Sequence, residues 1–217
     1  MVVVKRKTQE VSWLCAYVGV LFASAIVRDF IIAPYVTRHI SGVGAVLVEP
    51  IWKLLFWIAP TFFYIQFVEG QNPFTYLKLS TNIRQGLLWG LLGCLFVVAL
   101  EFGKMLQGHA NTSLSTDTWV NVILLVGLME EIPFRGFLFQ KLQSWFGFVG
   151  AMLLSSLLFA LIHLPLWLSP GQSTNLPLAL ALVFGVGVLA CFVLQYSKSL
   201  WSSIIFHTFY NILTALF

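Results

Sequence analysis

Apolar runs of about twenty residues recur along this chain, separated by short stretches rich in turn-forming and polar residues. A run of ~20 apolar residues is what a helix needs to cross the hydrocarbon core of a bilayer. Seven such runs are read, at approximately 11–33, 44–68, 85–105, 118–139, 148–168, 177–196 and 199–217. The separators are "RHISG", "EGQNPF", "QGHANTSLSTD", "QSWFG", "SPGQSTN" and "QYSKS", compositions typical of loops. The pattern predicts an all-α, polytopic integral membrane bundle. Residues 1–117 would supply three N-terminal helices and residues 118–217 a four-helix core, the two forming one integrated domain.

Composition agrees. Of the 217 residues, 59% are hydrophobic and 9% charged, where a soluble domain carries about 25% charged residues. The size leaves no room for a separate soluble module. Lys and Arg lie mostly between the apolar runs, with no dense basic patch interleaved with aromatics. That distribution excludes nucleic acid as a partner and leaves membrane lipid. Cys15, Cys94 and Cys191 are scattered within apolar runs and form neither a CxxC motif nor a disulfide framework. Ala23-Ser24-Ala25 resembles a signal-peptidase site, but the apolar run continues past it, so a retained first helix is expected.

Basic residues set an orientation. Lys5, Arg6, Lys7, Lys78, Arg84, Lys141 and Lys198 fall on one side, while 106–117, 169–176 and the C-terminus have no Lys or Arg. By the positive-inside rule the N-terminus is cytoplasmic, in the cell membrane. Arg28 and Arg38, read as part of the first outer loop, run against the bias, and the span beginning near Glu49 and Lys53 is the weakest of the seven.

Charge inside the spans bears on function. "GLMEEIPFRGFL", residues 127–138, puts two carboxylates and a guanidinium in an apolar segment. An ionised side chain near the bilayer centre costs ~2.5–3.5 kcal/mol on insertion scales, so such groups face the bundle interior or a wet cavity. Glu131 and Arg135 are four apart and can pair along one helix face. Glu130 is turned by about 100° from its neighbour and reads as the free carboxylate. Pro133 cannot donate to the carbonyl of Met129, which predicts a kink beside the glutamates.

Three further polar residues stand on later spans. His163 lies in "LLFALIHLPLW", and His207 and Asn211 share a face in "IIFHTFYNIL". A carboxylate can take a proton from water, an imidazole can orient or share it, and His and Asn can donate to an oxyanion. Glu130, His163 and His207 could instead give three ligands to a catalytic zinc, although no HExxH is present. His39 and His109 read as solvated loop residues. Neither a GxSxG elbow nor a base near any cysteine supports Ser or Cys nucleophile chemistry. Gly185, Gly187 and Ala190 predict close helix packing in the sixth span.

In order, Glu130-Glu131-x-x-x-Arg135, Phe159-x-x-x-His163, Phe184-x-x-Gly187 and His207-x-x-x-Asn211 resemble the motif set of the CAAX prenyl endopeptidase type II, or Abi (CPBP), family of intramembrane proteases. The resemblance covers about residues 118–217. It implies an intramembrane peptidase, glutamate-dependent or metal-dependent, acting on a lipidated (CaaX-like) protein or membrane peptide. Carried over by motif, Glu130 would activate water and His163 assist. His207 and Asn211 would stabilise the oxyanion, or His207 would bind metal. Glu131 and Arg135 would support the site or engage a substrate carboxylate. Two other readings stay open: a proton-coupled transporter relaying through Glu130, Glu131 and His163, and, on the same resemblance, a non-catalytic scaffold or bacteriocin-immunity protein.

Overall fold

The computed structural model describes residues 2–106, 108, 113–170, 172 and 174–217. His109 and its expected loop position lie outside them, as do the side chains of Lys5, Arg6 and Lys7. Each of the seven expected spans coincides with a helix, and the described residues contain no strand. The protein is an all-α integral membrane bundle. Gln9–His39, Gly42–Val68, Thr118–Leu168 and Leu176–Ser197 are long and apolar enough to cross a membrane, and Ile83–Ala99 and Leu200–Leu216 are shorter apolar helices.

Helix α1 covers residues 2–39, with a π-helical turn at Arg28–Ile32. It runs past the expected end at 33, with Pro34 accommodated directly after the π-helical turn. This corrects the outer-loop placement of Arg28 and Arg38, both of which are helical. The chain reverses through extended Ile40 and Gly42, whose φ of +63° suits glycine. Helix α2 covers 42–68 with π-helical turns at Leu54–Ile58 and Tyr64–Val68. Helix α3 is Ile83–Leu106.

Helix α4 covers 118–146 and α5 covers 148–161, divided at Gly147 (φ +67°, ψ −178°). Helix α6 is Leu176–Ser197 and α7 is Leu200–Leu216. The irregularity expected from Pro133 takes the form of a π-helical run at Ile132–Phe139, starting one residue before the proline. Such runs inside α-helices mark functional segments more often than chance.

Small residues let the helices close up. A Cβ added at Gly86, Gly90 or Gly93 of α3 would meet Ser199, Ile205 or Phe206 within 2.9 Å or less. These three glycines, none flagged by sequence, carry the α3–α7 contact. On α6, Gly187 fits against Ser156 at 2.9 Å as expected, whereas a Cβ at Gly185 would meet nothing within 4 Å. Ala190 is fully buried.

The N-terminal helices share a core with the C-terminal ones. Tyr17 packs edge-on against Phe137 (ring centroids 4.8 Å apart), and its hydroxyl shares a hydrogen bond with Thr61 Oγ1 at 2.7 Å. Trp57 Nε1 donates to Ser24 Oγ at 2.9 Å and Trp52 Nε1 to the Ser24 carbonyl at 3.1 Å, locking α2 to α1. At one end of the bundle Lys141 pairs with Glu69 (2.7 Å) and Glu10 (3.5 Å).

Gly127 sets how closely α4 approaches α7. A Cβ there would collide with Thr208 Oγ1 and approach the backbone N of Thr208 to 3.2 Å. Gly127→Val should therefore destabilise the protein by about 1–3 kcal/mol through overpacking. Thermal unfolding in detergent checks this, and a variant as stable as the wild type would disprove the tight contact.

Candidate active site

Both glutamates are buried, Glu130 4% and Glu131 0% exposed, and they engage different partners. Their neighbouring positions on α4 turn them apart, as helix geometry requires. Glu131 Oε1 stands 3.1 Å from Arg135 Nη1, the expected i,i+4 pair. That contact lies off the N–H axis, so it is electrostatic rather than a directed hydrogen bond. The Arg135 guanidinium also sits 3.9 Å from the centroid of the Phe159 ring, a favourable cation–π placement.

His207 belongs to Glu131. Its Nδ1 lies 2.8 Å from Glu131 Oε1. A carboxylate oxygen accepts, so Nδ1 carries the proton. The reading from sequence grouped His207 with Glu130 instead. The Gly127 contact seats α7 where His207 meets Glu131.

Glu130 is not free, which corrects the expectation of an unpaired carboxylate. Lys53 Nζ donates to Glu130 Oε1 at 3.0 Å from 77 positions away in sequence. The second oxygen, Oε2, faces His163 Nε2 at 3.8 Å. His163 Nδ1 lies 2.8 Å from the Phe159 carbonyl. A carbonyl only accepts, so this ring nitrogen holds the hydrogen and neutral His163 turns a lone pair at Nε2 toward Glu130. The ring rests on Trp167, centroids 5.5 Å apart.

Beyond Lys53 the charges continue. Lys53 Nζ also contacts Glu49 Oε1 at 3.0 Å, and Arg28 reaches Glu49 at 3.7 Å and Asp29 at 2.7 Å. A cleft of about 380 Å³ opens beside this ladder, lined by Arg28, Asp29, Glu49, Trp52, Asp117 and Leu166 among others. Reading the sequence missed these residues. The available signal was the presence of Arg28, Asp29, Glu49 and Lys53 next to or inside apolar runs, where ionisable groups are costly and seldom idle.

Asn211 Nδ2 donates to the Val122 carbonyl at 3.1 Å, tying α7 to the start of α4 and leaving one amide hydrogen uncommitted. His39 is exposed and bonded locally to the Tyr35 carbonyl at 2.9 Å, away from the site.

Among the described residues, no three His, Cys, Asp or Glu side chains are grouped to hold a metal ion. Glu130 Oε1 is against the Lys53 ammonium, His207 Nδ1 is turned to Glu131, and His163 Nδ1 to a carbonyl. Both histidines are thus held through Nδ1, as metal-bound histidines also are, while Glu130 Oε2 and His163 Nε2 stay turned to each other.

Residues 112–213 match the family model described as "Rce1-like: Type II CAAX prenyl endopeptidase Rce1-like". The matched range contains Glu130, Glu131, Arg135, His163, His207 and Asn211 and excludes Lys53. Comparisons with curated proteins and with solved structures return no significant match.

Proposed function

The C-terminal half of this chain, residues 112–213, belongs to the type II CAAX prenyl endopeptidase family, and from that premise we propose that Glu130 activates water to hydrolyse a peptide bond in a lipidated or membrane-associated peptide. The observation that carries the reading is the facing pair Glu130 Oε2 and His163 Nε2, 3.8 Å apart. A water lying to one side of both atoms donates one hydrogen to each, which aims its oxygen lone pairs at a carbonyl carbon.

Water gives a proton to Glu130 as its oxygen attacks the carbonyl carbon. The C–N bond then breaks, and Glu130 returns the proton to the departing amine nitrogen. His207 and Asn211 are assigned to the oxyanion that forms on the carbonyl oxygen. His207 serves there with its Nδ1 held by Glu131, and Asn211 through the amide hydrogen left over from Val122. Arg135 balances Glu131 at the same oxygen, Oε1, that His207 contacts. The cleft lined by Glu49, Trp52 and Leu166 is where the peptide enters. With the N-terminus cytoplasmic, it opens on the other face of the membrane.

Purified protein in liposomes should cleave a prenylated CaaX peptide or a membrane peptide, followed by mass spectrometry of the products. Glu130→Gln keeps the shape of the side chain and removes the base, so kcat should fall by about 10²–10⁴-fold. Undiminished cleavage by this variant would overturn the assignment. A wild-type protein that cleaves no such peptide would favour the scaffold reading.

A further inference from the structure

Lys53 lies on α2, outside the family-matched segment, yet its ammonium reaches the carboxylate assigned as the base. Its side chain is almost fully buried, at 3% exposure. Three groups hold the ammonium: Glu130 Oε1 at 3.0 Å, Glu49 Oε1 at 3.0 Å and the Trp57 ring, whose centroid is 5.4 Å away. Trp57 is itself fastened to Ser24 of α1. The lysine is therefore anchored from the N-terminal helices and aimed at one named oxygen of Glu130.

That choice of oxygen has a chemical consequence. With Oε1 occupied by Lys53, Oε2 is the oxygen left to face His163. The ammonium fixes the rotation of the carboxylate inside an apolar bundle. Stability alone does not account for the pair, because replacing both members of a buried ion pair by neutral residues of similar volume is often neutral or stabilising.

We infer that Lys53 is a positioning residue for the Glu130 base, so that the N-terminal helices complete the active site carried by the family-matched half. This rests on the peptidase reading above. Glu49 belongs to the same device from the cleft side. Its half-exposed carboxylate lines the cleft and holds the Lys53 ammonium at 3.0 Å.

The test uses the liposome assay with full-length Lys53→Met and Lys53→Arg. Lys53→Met should lower kcat by about 100-fold while KM stays within about threefold, since the lost interaction acts on the transition state. Lys53→Arg keeps the positive charge and should recover activity to within about tenfold of wild type. A role in folding alone predicts no such split. Because Lys53→Met leaves Glu130 buried and unpaired, thermal unfolding is run alongside on Lys53→Met, Glu130→Gln and the double variant. The single Lys53→Met should melt below wild type and the double should recover, whether or not a substrate has been found. Three results overturn the inference while sparing the peptidase reading: full kcat in Lys53→Met when Glu130→Gln is dead, no recovery in a folded Lys53→Arg, or melting losses that simply add. Full activity in Glu130→Gln overturns the peptidase reading and this role with it.

Discussion

Arg135→Met should destabilise the protein by about 3–5 kcal/mol, the cost of leaving one partner of a buried ion pair uncompensated. Arg135 and Glu131 are both 0% exposed, so water cannot replace the lost guanidinium. The Met side chain fills much of the volume over Phe159 but supplies no charge. The Glu131 carboxylate would then have only the Nδ1 hydrogen of His207. Adding Glu131→Gln removes the orphaned charge and keeps an oxygen for His207 to donate to, so the double variant should regain most of the loss. Unfolding curves in one detergent at fixed pH measure both effects. A single variant as stable as the wild type would show that the pair carries no weight.

The second large effect is on catalysis. His163→Ala should lower kcat by about 10²–10⁴-fold, the range for removing a positioned acid–base group, with KM little changed. Its ring is 20% exposed at the side-chain level, lies on Trp167 and contacts one oxygen of Glu130 at 3.8 Å. Loss of the ring should therefore leave folding nearly intact. His207→Ala should behave differently, because His207 is buried and bonded to Glu131 at 2.8 Å. It should reduce thermal stability together with activity. Equal melting losses in the two histidine variants would contradict this division, as would a His163→Ala enzyme with normal kcat.

Local features of the site were legible because the helix repeat is local. The Glu131–Arg135 pair follows from four-residue spacing and is present at 3.1 Å. The effect of Pro133 follows from its missing N–H and is present as the π-helical run at Ile132–Phe139. Gly187 against Ser156 was equally readable, since small residues mark close helix contacts, but Gly185 shows that such a stripe does not say which glycine is covered.

Charge near the membrane interface was harder to read. Arg28 and Lys53 looked like span-end residues because the hydropathy pattern blurs over several positions at each boundary. The fold extends α1 to His39 and tucks both side chains inward, against Trp57. A buried cation cannot remain alone in an apolar bundle. Its partner is whichever carboxylate the packing brings within reach, and sequence distance does not limit that choice.

By itself, then, the sequence determined the all-α membrane architecture, the approximate positions of the spans and the Glu131–Arg135 pair. Each depends on hydropathy or on contacts within one helix turn. Only the tertiary structure decided that Glu130 pairs with Lys53 and His207 with Glu131, across 77 and 76 positions of chain. Those pairings depend on how far each helix is rotated about its axis, and that rotation is set by side chains and glycines such as Gly127 where two helices touch.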